Sequence, residues 1–364
     1  MEIVIPITGF GRQGGFRVLS NLANEWIRLG HTVLFLSPRE SDDPYFPTTA
    51  EIIWLDRRGI EVPEKDRRNY SGRLRIWNAL RSLVGGLHRY AENADIVLAN
   101  QSMTAWPVFL ARLNARKYYY VQAYEPEYYS LMPGLHMPVL QALSFGSYML
   151  PLKHIVNAPV YLGYNALRAH ASVPPGIDFT LFYPTKNRDK QHSRLIIGCI
   201  GRTEVFKGIK YVFDAYHMLS QKGISVELRV AFGNAADELD PNIHIVVPKN
   251  DQELGDYYRS IDILVAPGTV QLGAAHYPVM EAMACGVTVV STGYLPADNH
   301  NSWIVPVHDA SAIADAITDI LANPDEQMCR VAQAVKDIQP FTWNAAAVSM
   351  LHEFNNSAFR RLGL

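Results

Sequence analysis

The chain has 364 residues, of which 48% are hydrophobic and 19% charged, and its net charge is −2 at pH 7. The length predicts two domains, the composition argues against bulk disorder, and the charge gives no reason to expect a nucleic-acid partner. The three cysteines, Cys199, Cys285 and Cys329, lie far apart and form no C-x-x-C motif, which argues against a disulfide framework and a cysteine-based zinc site.

No apolar run approaches the roughly 18–20 residues that a membrane-spanning helix needs. The first residues lead almost directly into a predicted strand, without the basic and apolar regions of a signal peptide. Together with the low cysteine content, these features predict a cytoplasmic protein in a reducing compartment.

The first half of the chain alternates short apolar strands with segments of helical periodicity, which predicts a parallel α/β architecture. EIVIPI predicts the first strand, and GFRVLSNLANEWIRLG predicts a helix that ends at Gly30. HTVLFLSP, EIIWLD, ADIVLAN and KYYYVQ predict further strands, and TAWPVFLARLNA predicts a helix between the last two.

Residues 172–193 are rich in proline and polar residues and predict a linker, after which the pattern begins again. The second half predicts strands for RLIIGCIGR, VELRVAFG, IHIVVP, DILVAPG and VTVVSTG, and helices for KGIKYVFDAYHMLSQKG, DQELGDYYRSI and YPVMEAMACG. The sequence therefore predicts two parallel-sheet domains, each with a glycine turn after its first strand and its ligands at the carboxyl ends of strands.

The first glycine turn, TGFGRQGGFR, has G-x-G-x-x-G spacing at Gly9, Gly11 and Gly14. One interpretation is a dinucleotide site, but the second strand ends at Ser37 rather than at the acidic residue that binds the ribose of NAD. Arg39 would suit the 2′-phosphate of NADP. The alternative is a tight strand-to-helix turn that lets the backbone approach another bound group.

The second glycine turn, IGCIGRTEVFKG, places Arg202 and Lys207 beside the start of a predicted helix. A helix N-terminus favours anions, and two cations beside it indicate a diphosphate site. The alternative is that both cations are solvated surface residues. Downstream, Glu281 is predicted in the first turn of a helix that Pro278 helps to begin, where it either complements the helix dipole or binds a ribose.

These segments resemble family 4 of the group 1 glycosyltransferases, which have the GT-B fold. The resemblance is carried by PPGIDFTLFYP (174–184), IGRTEVFKG, LGDYYRSIDILVAPG, YPVMEAMACGVTVVSTG, WIVPVHDASAIADAITDIL and FTWNAAAVSMLHEF. It covers nearly the whole chain and is most specific over residues 174–345. In the first half, KYYYVQAYEPEYY together with GGFR is similar to a subgroup that includes bacterial rhamnosyltransferases.

The resemblance implies two Rossmann-like domains that face each other across a cleft, namely residues 1–180 on the acceptor side and 181–344 on the donor side. It also implies that a tail, residues 345–364, packs back on the first domain. The implied activity is retaining transfer of a sugar from a UDP-, dTDP- or GDP-linked donor to a glycan or lipid-linked acceptor. The implied site needs neither a metal nor a cofactor.

By position, Arg202 and Lys207 would hold the donor diphosphate and stabilise the leaving group, and Glu281 would bind the ribose. The other residues that the resemblance implies at the donor are Gly14, Gly15, Gln122, Gly201, Val247, Leu254, Tyr277, Pro278 and Val279. On this interpretation Gly14 and Gly15 form a turn that approaches the donor phosphates and the acceptor, and the G-x-G-x-x-G spacing is incidental.

The sequence departs from the family pattern at three positions. Gly273 stands where the family has a second acid, so either His276 and the nearby backbone replace it or the donor is a sugar with fewer hydroxyls, such as rhamnose. Gln122 stands where the family usually has a histidine. Glutamine cannot act as an acid or a base, but it can form a hydrogen bond with a sugar hydroxyl. Glu125 is a candidate for acceptor binding or proton transfer, or else a turn residue before Pro126.

Residues 66–90 carry six arginines beside Trp77 and several aliphatic residues. This segment either lies on an anionic membrane surface or packs as an amphipathic helix on its own sheet. Two further functions compete with glycosyl transfer: an NADP-dependent oxidoreductase that uses the first glycine turn, and a non-catalytic nucleotide-sugar-binding protein.

Overall fold

The computed structural model describes residues 1–68, 76–185, 194–201, 204–234 and 240–359. These residues form two compact units. Unit 1 comprises Met1–Gly176 together with the chain from Trp343 onward, and unit 2 comprises Ile177–Thr342. The division therefore falls inside the predicted linker, a few residues before the predicted domain boundary at 180/181, and unit 1 is built from two separate stretches of sequence.

Unit 1 has a seven-stranded parallel sheet with the strand order β3-β2-β1-β4-β5-β6-β7. Its strands are β1 (Glu2–Pro6), β2 (Thr32–Pro38), β3 (Glu51–Leu55), β4 (Ile96–Ala99), β5 (Arg116–Val121), β6 (Lys153–Val156) and β7 (Ala171–Ser172). Apolar runs such as Ile3-Val4-Ile5 form these strands because helices cover the sheet and bury both of its faces.

The helices of unit 1 are α1 (Gly14–Arg28), α2 (Glu64–Arg68), α3 (Ile76–Tyr90), α4 (Ser102–Leu110), α5 (Glu125–Leu131), α6 (Met137–Ser147) and, from the end of the chain, α12 (Trp343–Phe359). A 3₁₀ turn spans Pro159–Gly163. Helix α12 packs on α1, where the Trp26 indole donates to the Ala347 carbonyl at 3.2 Å. Phe354 is fully buried between the rings of Trp26 and Tyr118.

Unit 2 has a six-stranded parallel sheet with the order β10-β9-β8-β11-β12-β13. Its strands are β8 (Leu195–Ile200), β9 (Val226–Ala231), β10 (Ile243–Val246), β11 (Ile263–Ala266), β12 (Thr288–Ser291) and β13 (Trp303–Ile304). Its helices are α7 (Ile209–Gln221), α8 (Asp251–Arg259), α9 (Tyr277–Ala284), α10 (Ala310–Ala322) and α11 (Pro324–Ile338). Helices α7 and α10 cover one face of this sheet, and their buried side chains form a hydrophobic core with those of the strands.

The predicted pair of parallel-sheet domains is confirmed, and the strands predicted from apolar runs are present in both units. The helix predicted for TAWPVFLARLNA is shorter than expected. Helix α4 ends at Leu110, and the backbone of Ala111 is already extended. Strand β6 and the helices α5 and α6 were not predicted, since their sequences show no clear period.

Helix α3 shows how part of the arginine-rich segment 66–90 is placed. Its apolar stripe, which includes Ala79, Leu83 and Leu87, is buried against unit 1, as the core-facing alternative predicts. Trp77 is 69% exposed at the start of the helix. Two of the arginines lie in residues 69–75, which are outside the described residues, and membrane contact stays a prediction.

Candidate functional site

The strand order of unit 2 reverses between β8 and β11, which lie next to each other although they are not consecutive in the chain. In open parallel sheets, ligands bind outside the carboxyl ends of strands at such a point of reversal. The loop after β8 and the loop after β11 therefore define the candidate site in this unit. Both loops carry residues that the sequence predicted for donor binding.

The loop after β8 begins at Gly201, whose N–H donates to the Ala231 carbonyl at 2.7 Å. A Cβ on Gly201 would lie 2.5 Å from the Cα of Gly233, so this backbone path requires glycine at position 201. Arg202, the next predicted residue, lies outside the described residues. This close passage brings the backbone directly from the sheet edge into the predicted diphosphate loop.

Lys207 ends a 3₁₀ turn over Val205–Lys207 and immediately precedes Gly208, the N-cap of α7. The side chain is partly buried, and its Nζ lies 5.5 Å from the centre of the Phe206 ring. The first turn of α7 contains no acidic residue. Lys207 thus adds a full positive charge beside the positive end of a 13-residue helix.

The two loops at the reversal point are tied together. Thr269, after β11, donates to the Phe206 carbonyl from its N–H at 2.9 Å and from its hydroxyl at 3.2 Å. Gly208 has a φ of +72°, and a Cβ there would lie 2.1 Å from the Pro267 carbonyl oxygen. The structure thereby brings Lys207 next to the second predicted donor segment.

The loop after β11 has an unusual backbone around the position of the missing acid. Gln271 and Gly273 both have positive φ angles, +53° and +82°. His276 is the N-cap of α9, and its ring stacks on Tyr294 with 4.4 Å between the ring centres and 22° between the planes. The Tyr294 hydroxyl donates to the Val270 carbonyl at 2.7 Å, so this stack also braces the loop.

The prediction that Glu281 lies in the first turn of its helix is wrong. Helix α9 begins at Tyr277, with Pro278 as its second residue, so Glu281 is one full turn inside it. Its side chain is 2% exposed and accepts a hydrogen bond of 2.8 Å from the hydroxyl of Tyr258 on α8. Burial, reinforced by the Glu281 carboxylate, raises the pKa of Tyr258 well above its usual value.

We expect Glu281→Ala to lower the free energy of unfolding by about 1–3 kcal/mol, because it leaves the buried Tyr258 hydroxyl without its acceptor. Glu281→Gln keeps an acceptor oxygen and should be less destabilising. Chemical denaturation of both variants, with Tyr258→Phe and the double variant, would measure the coupling energy between the two side chains. A stability of Glu281→Ala equal to that of the wild type would contradict this account.

Two apolar residues predicted at the donor lie after β10. Val247 directly follows this strand and is 64% exposed, which leaves its side chain open to a ligand. Leu254 lies in α8, whose N-cap Asn250 accepts the Glu253 N–H at 2.9 Å. Both residues therefore follow the carboxyl end of β10, which is separated from β11 by the two strands β9 and β8.

In unit 1 the strand order reverses between β1 and β4. The Asn100 amide donates to the Pro6 carbonyl at 2.7 Å, and the Gln101 amide donates to the Thr8 hydroxyl, so the two loops at this edge are also tied together. Sequence reasoning missed Thr8, Asn100 and Gln101. The signal was available, since polar residues directly follow a wholly apolar strand.

Two of the predicted residues in unit 1 are in contact. Gly14 and Gly15 begin α1, and the amide of Gln122, directly after β5, donates to the Gly15 carbonyl at 3.3 Å. A Cβ on Gly15 would lie 3.4 Å from the Gln122 side-chain oxygen, an ordinary van der Waals distance. The structure therefore places Gly15 and Gln122 side by side, as two of the residues predicted at the donor.

Glu125 is held by groups of its own unit. Its carboxylate accepts the Ser102 N–H at 2.7 Å and the Ser102 hydroxyl, at the first residue of α4, and the hydroxyls of Tyr119 and Tyr129 lie at 3.4 and 3.5 Å. Burial raises the pKa of the carboxyl, and these hydrogen bonds oppose the shift. This geometry anchors the N-terminus of α4 to the start of α5, and a catalytic role for Glu125 stays a prediction.

Within the part of the chain that the structure describes, no group of three His, Cys, Asp or Glu side chains is arranged to hold a metal ion. In the same residues, no helix has the length and apolar character that crossing a membrane would require.

Two family models match the chain. Residues 194–323 match "Glycosyl transferases group 1", and residues 12–128 match "Glycosyltransferase Family 4". The chain is 29% identical to the D-inositol 3-phosphate glycosyltransferase of Corynebacterium efficiens, over 49% of each chain, and 28% identical to that of Xylanimonas cellulosilytica, over 52% of each. The chain spans about half the length of the curated relatives that it matches.

The solved structures show the fold. The sucrose-phosphate synthase of Thermosynechococcus elongatus is 18% identical with a TM-score of 0.76, over 99% of this chain and 98% of that one. Anabaena Alr3699/HepE in complex with UDP and glucose is 15% identical with a TM-score of 0.70, over 98% of this chain and 100% of that one. The chain therefore has the same fold as these two proteins.

The Family 4 model covers most of unit 1, and the group 1 model covers most of unit 2. Together with the shared fold, they support the assignment of this chain to the group 1 glycosyltransferases, as the resemblance in the sequence predicted. They do not support the rhamnosyltransferase subgroup, since the curated relatives carry the name of inositol phosphate glycosyltransferases.

Proposed function

We propose that this chain is a retaining glycosyltransferase of polysaccharide or glycoconjugate biosynthesis. It transfers a hexose-type sugar from a UDP-, dTDP- or GDP-linked donor to a hydroxyl of a glycan or lipid-linked acceptor. The observation that carries the proposal is Lys207, a cation beside the positive end of α7, at the strand reversal of unit 2. Support comes from the fold neighbour in complex with UDP-glucose and from the names of the relatives.

The chemical difficulty of this reaction is the negative charge that grows on the departing nucleotide diphosphate. Fixed positive charge at that place lowers the barrier because it stabilises the transition state more than the ground state. In the proposal Lys207, the N–H groups of α7 and Arg202 do this work, and neither a metal nor a cofactor is used. The bond from the sugar carbon to the phosphate oxygen breaks as the acceptor oxygen attacks the same face.

In the proposed reaction, the acceptor proton passes to the leaving phosphate oxygen, which balances the step without an enzyme nucleophile. Glu281 and the loop that contains His276 would bind the ribose and the sugar. Gly14, Gly15 and Gln122 of unit 1 would also bind the donor, and the glycine turn would approach the acceptor as well. The buried position of Glu281 leaves at most part of its carboxylate for a ribose, because Tyr258 already donates to it.

Nucleotide-dependent thermal stability tests the proposal. We expect one of UDP, dTDP or GDP to stabilise the purified protein, by about 2.7 kcal/mol at about 100 times its Kd. NADP⁺ should not, because in the proposal Lys207 of unit 2 holds the phosphates and the G-x-G-x-x-G spacing of the first glycine turn is incidental. Stabilisation by NADP⁺ alone would contradict the proposal, and nucleotide binding without turnover of any matching sugar nucleotide would indicate the non-catalytic alternative.

A further inference from the structure

Unit 1 contains a pocket between α5 and α6 that the proposed donor chemistry does not use. It encloses 370 Å³. Binding pockets for small molecules measure about 300–1,000 Å³, so this one has the size for a single small group. Its walls include Tyr124, Glu127, Ser130, Pro138, Gln141 and Phe145.

The lining combines two kinds of surface. The rings of Tyr124 and Phe145 offer flat apolar faces, while Glu127, Ser130 and Gln141 offer a carboxylate, a hydroxyl and an amide. A sugar or another cyclic polyol has the matching pair of surfaces, with C–H groups on its faces and hydroxyls at its edge. Hydroxyls can donate to the carboxylate and accept from the amide, so each kind of contact has a partner.

The charge of the pocket narrows the class of ligand. The eight residues that line it include one carboxylate and no Lys, Arg or His. From Tyr128 to Leu152 the sequence contains no Asp, Glu, Lys or Arg at all. The charge of Glu127 contributes, after burial, to raising the pKa of Tyr128 to about 12. A phosphate placed here would meet the like charge of Glu127, and none of the eight lining residues is a cation.

The walls of the pocket pack against other elements of unit 1. The Tyr124 ring stacks on the buried ring of Tyr148, with 5.6 Å between the centres and 19° between the planes. Helix α5 is fixed to α4 through the hydrogen bonds from Ser102 to Glu125. Tyr124 follows Gln122 by two residues, so this wall lies near the end of β5, at the carboxyl edge where ligands of such sheets bind.

We infer that this pocket binds a neutral, hydroxylated unit of the acceptor, a sugar or polyol, and discriminates against a phosphorylated one. The inference rests on the proposed glycosyl transfer and specifies its acceptor. It separates this chain from the curated relatives, whose name specifies an inositol phosphate. The discriminating group is Glu127, and Gln141 supplies the neutral hydrogen bonds.

Ligand-observed NMR on the full chain tests the inference with defined probes. The probes are methyl α-glucoside, methyl α-rhamnoside and myo-inositol as neutral ligands, and inositol 3-phosphate as the charged one. We expect a neutral probe to bind and the phosphate to bind at least tenfold more weakly. Gln141→Ala should weaken the neutral probe about tenfold, since it removes one hydrogen-bonding group. Glu127→Gln should bring the two affinities closer together.

Leu135→Ala is the matched control, since this side chain is fully exposed on the same helical hairpin and does not line the pocket. It should leave binding unchanged. Preference for the phosphate, an unchanged affinity in Gln141→Ala, or no neutral binding at tens of millimolar would each overturn the inference. The nucleotide thermal-shift experiment separates the two proposals. If a nucleotide stabilises the protein and one of these three outcomes is also found, only the acceptor assignment is wrong.

Discussion

Lys207→Ala should lower kcat/KM for sugar transfer by about 10²–10³-fold, or about 2.7–4 kcal/mol, the usual loss when one fixed group that stabilises transition-state charge is removed. The reason is its place beside the N-terminus of α7, where the leaving diphosphate would gain negative charge. The measurement is steady-state kinetics with the sugar nucleotide whose base stabilises the protein. Most of the loss should be in kcat, since the charge grows as the bond breaks.

Lys210→Ala is the control for this variant. Lys210 lies three residues further along, in α7, where it is exposed and pairs with Asp214 at 2.5 Å. Exposed pairs of this kind contribute little to stability, so Lys210→Ala should keep near wild-type kinetics. Equal activities of the two variants would mean that Lys207 is an ordinary surface cation, the alternative that the sequence left open.

Gly208→Ala should strongly destabilise the protein. A Cβ at this position would lie 2.1 Å from the Pro267 carbonyl oxygen, and φ is +72°. The clash should cost about 1–3 kcal/mol, and the left-handed backbone about 1–2 kcal/mol more. The variant should also lose activity, because Gly208 keeps the loops after β8 and β11 in contact.

Gly223→Ala isolates the clash from the backbone cost. Gly223 follows α7 with a φ of +78°, and a Cβ there would have nothing within 4 Å. It should therefore show only the left-handed penalty, about 1–2 kcal/mol. Chemical denaturation of both variants gives the comparison. If Gly223→Ala is as destabilised as Gly208→Ala, the two loops are not packed as described.

The sequence predicted the fold well where a segment has a clear hydrophobic pattern, either a continuous apolar run or a helical period. Wholly apolar runs such as Ile3-Val4-Ile5 predict buried parallel strands, and glycine turns mark their ends. Strand β6 escaped prediction because it has only four residues and begins with a lysine. Helices α5 and α6 escaped because Pro126 and Pro138 interrupt the sequence at their starts, and their apolar residues are partly exposed.

The site shows a similar limit. The sequence indicated Lys207 and the glycines, because their roles follow from local position after a strand and before a helix. It could not indicate what Glu281 and Glu125 touch, since their partners Tyr258 and Ser102 come from other elements. The pocket between α5 and α6 was missed for the same reason, as it depends on how two unpredicted helices pack.

The way α12 completes unit 1 bears on the order in which the protein is made. Trp26 and Tyr118 belong to the first third of the chain, yet Phe354, which packs against both rings, is synthesised after the whole of unit 2. Unit 2 is continuous in sequence, so its core is complete as soon as it leaves the ribosome. Unit 1 must hold these rings without their cover throughout that interval, and apolar surface exposed in this way favours aggregation until α12 has been made.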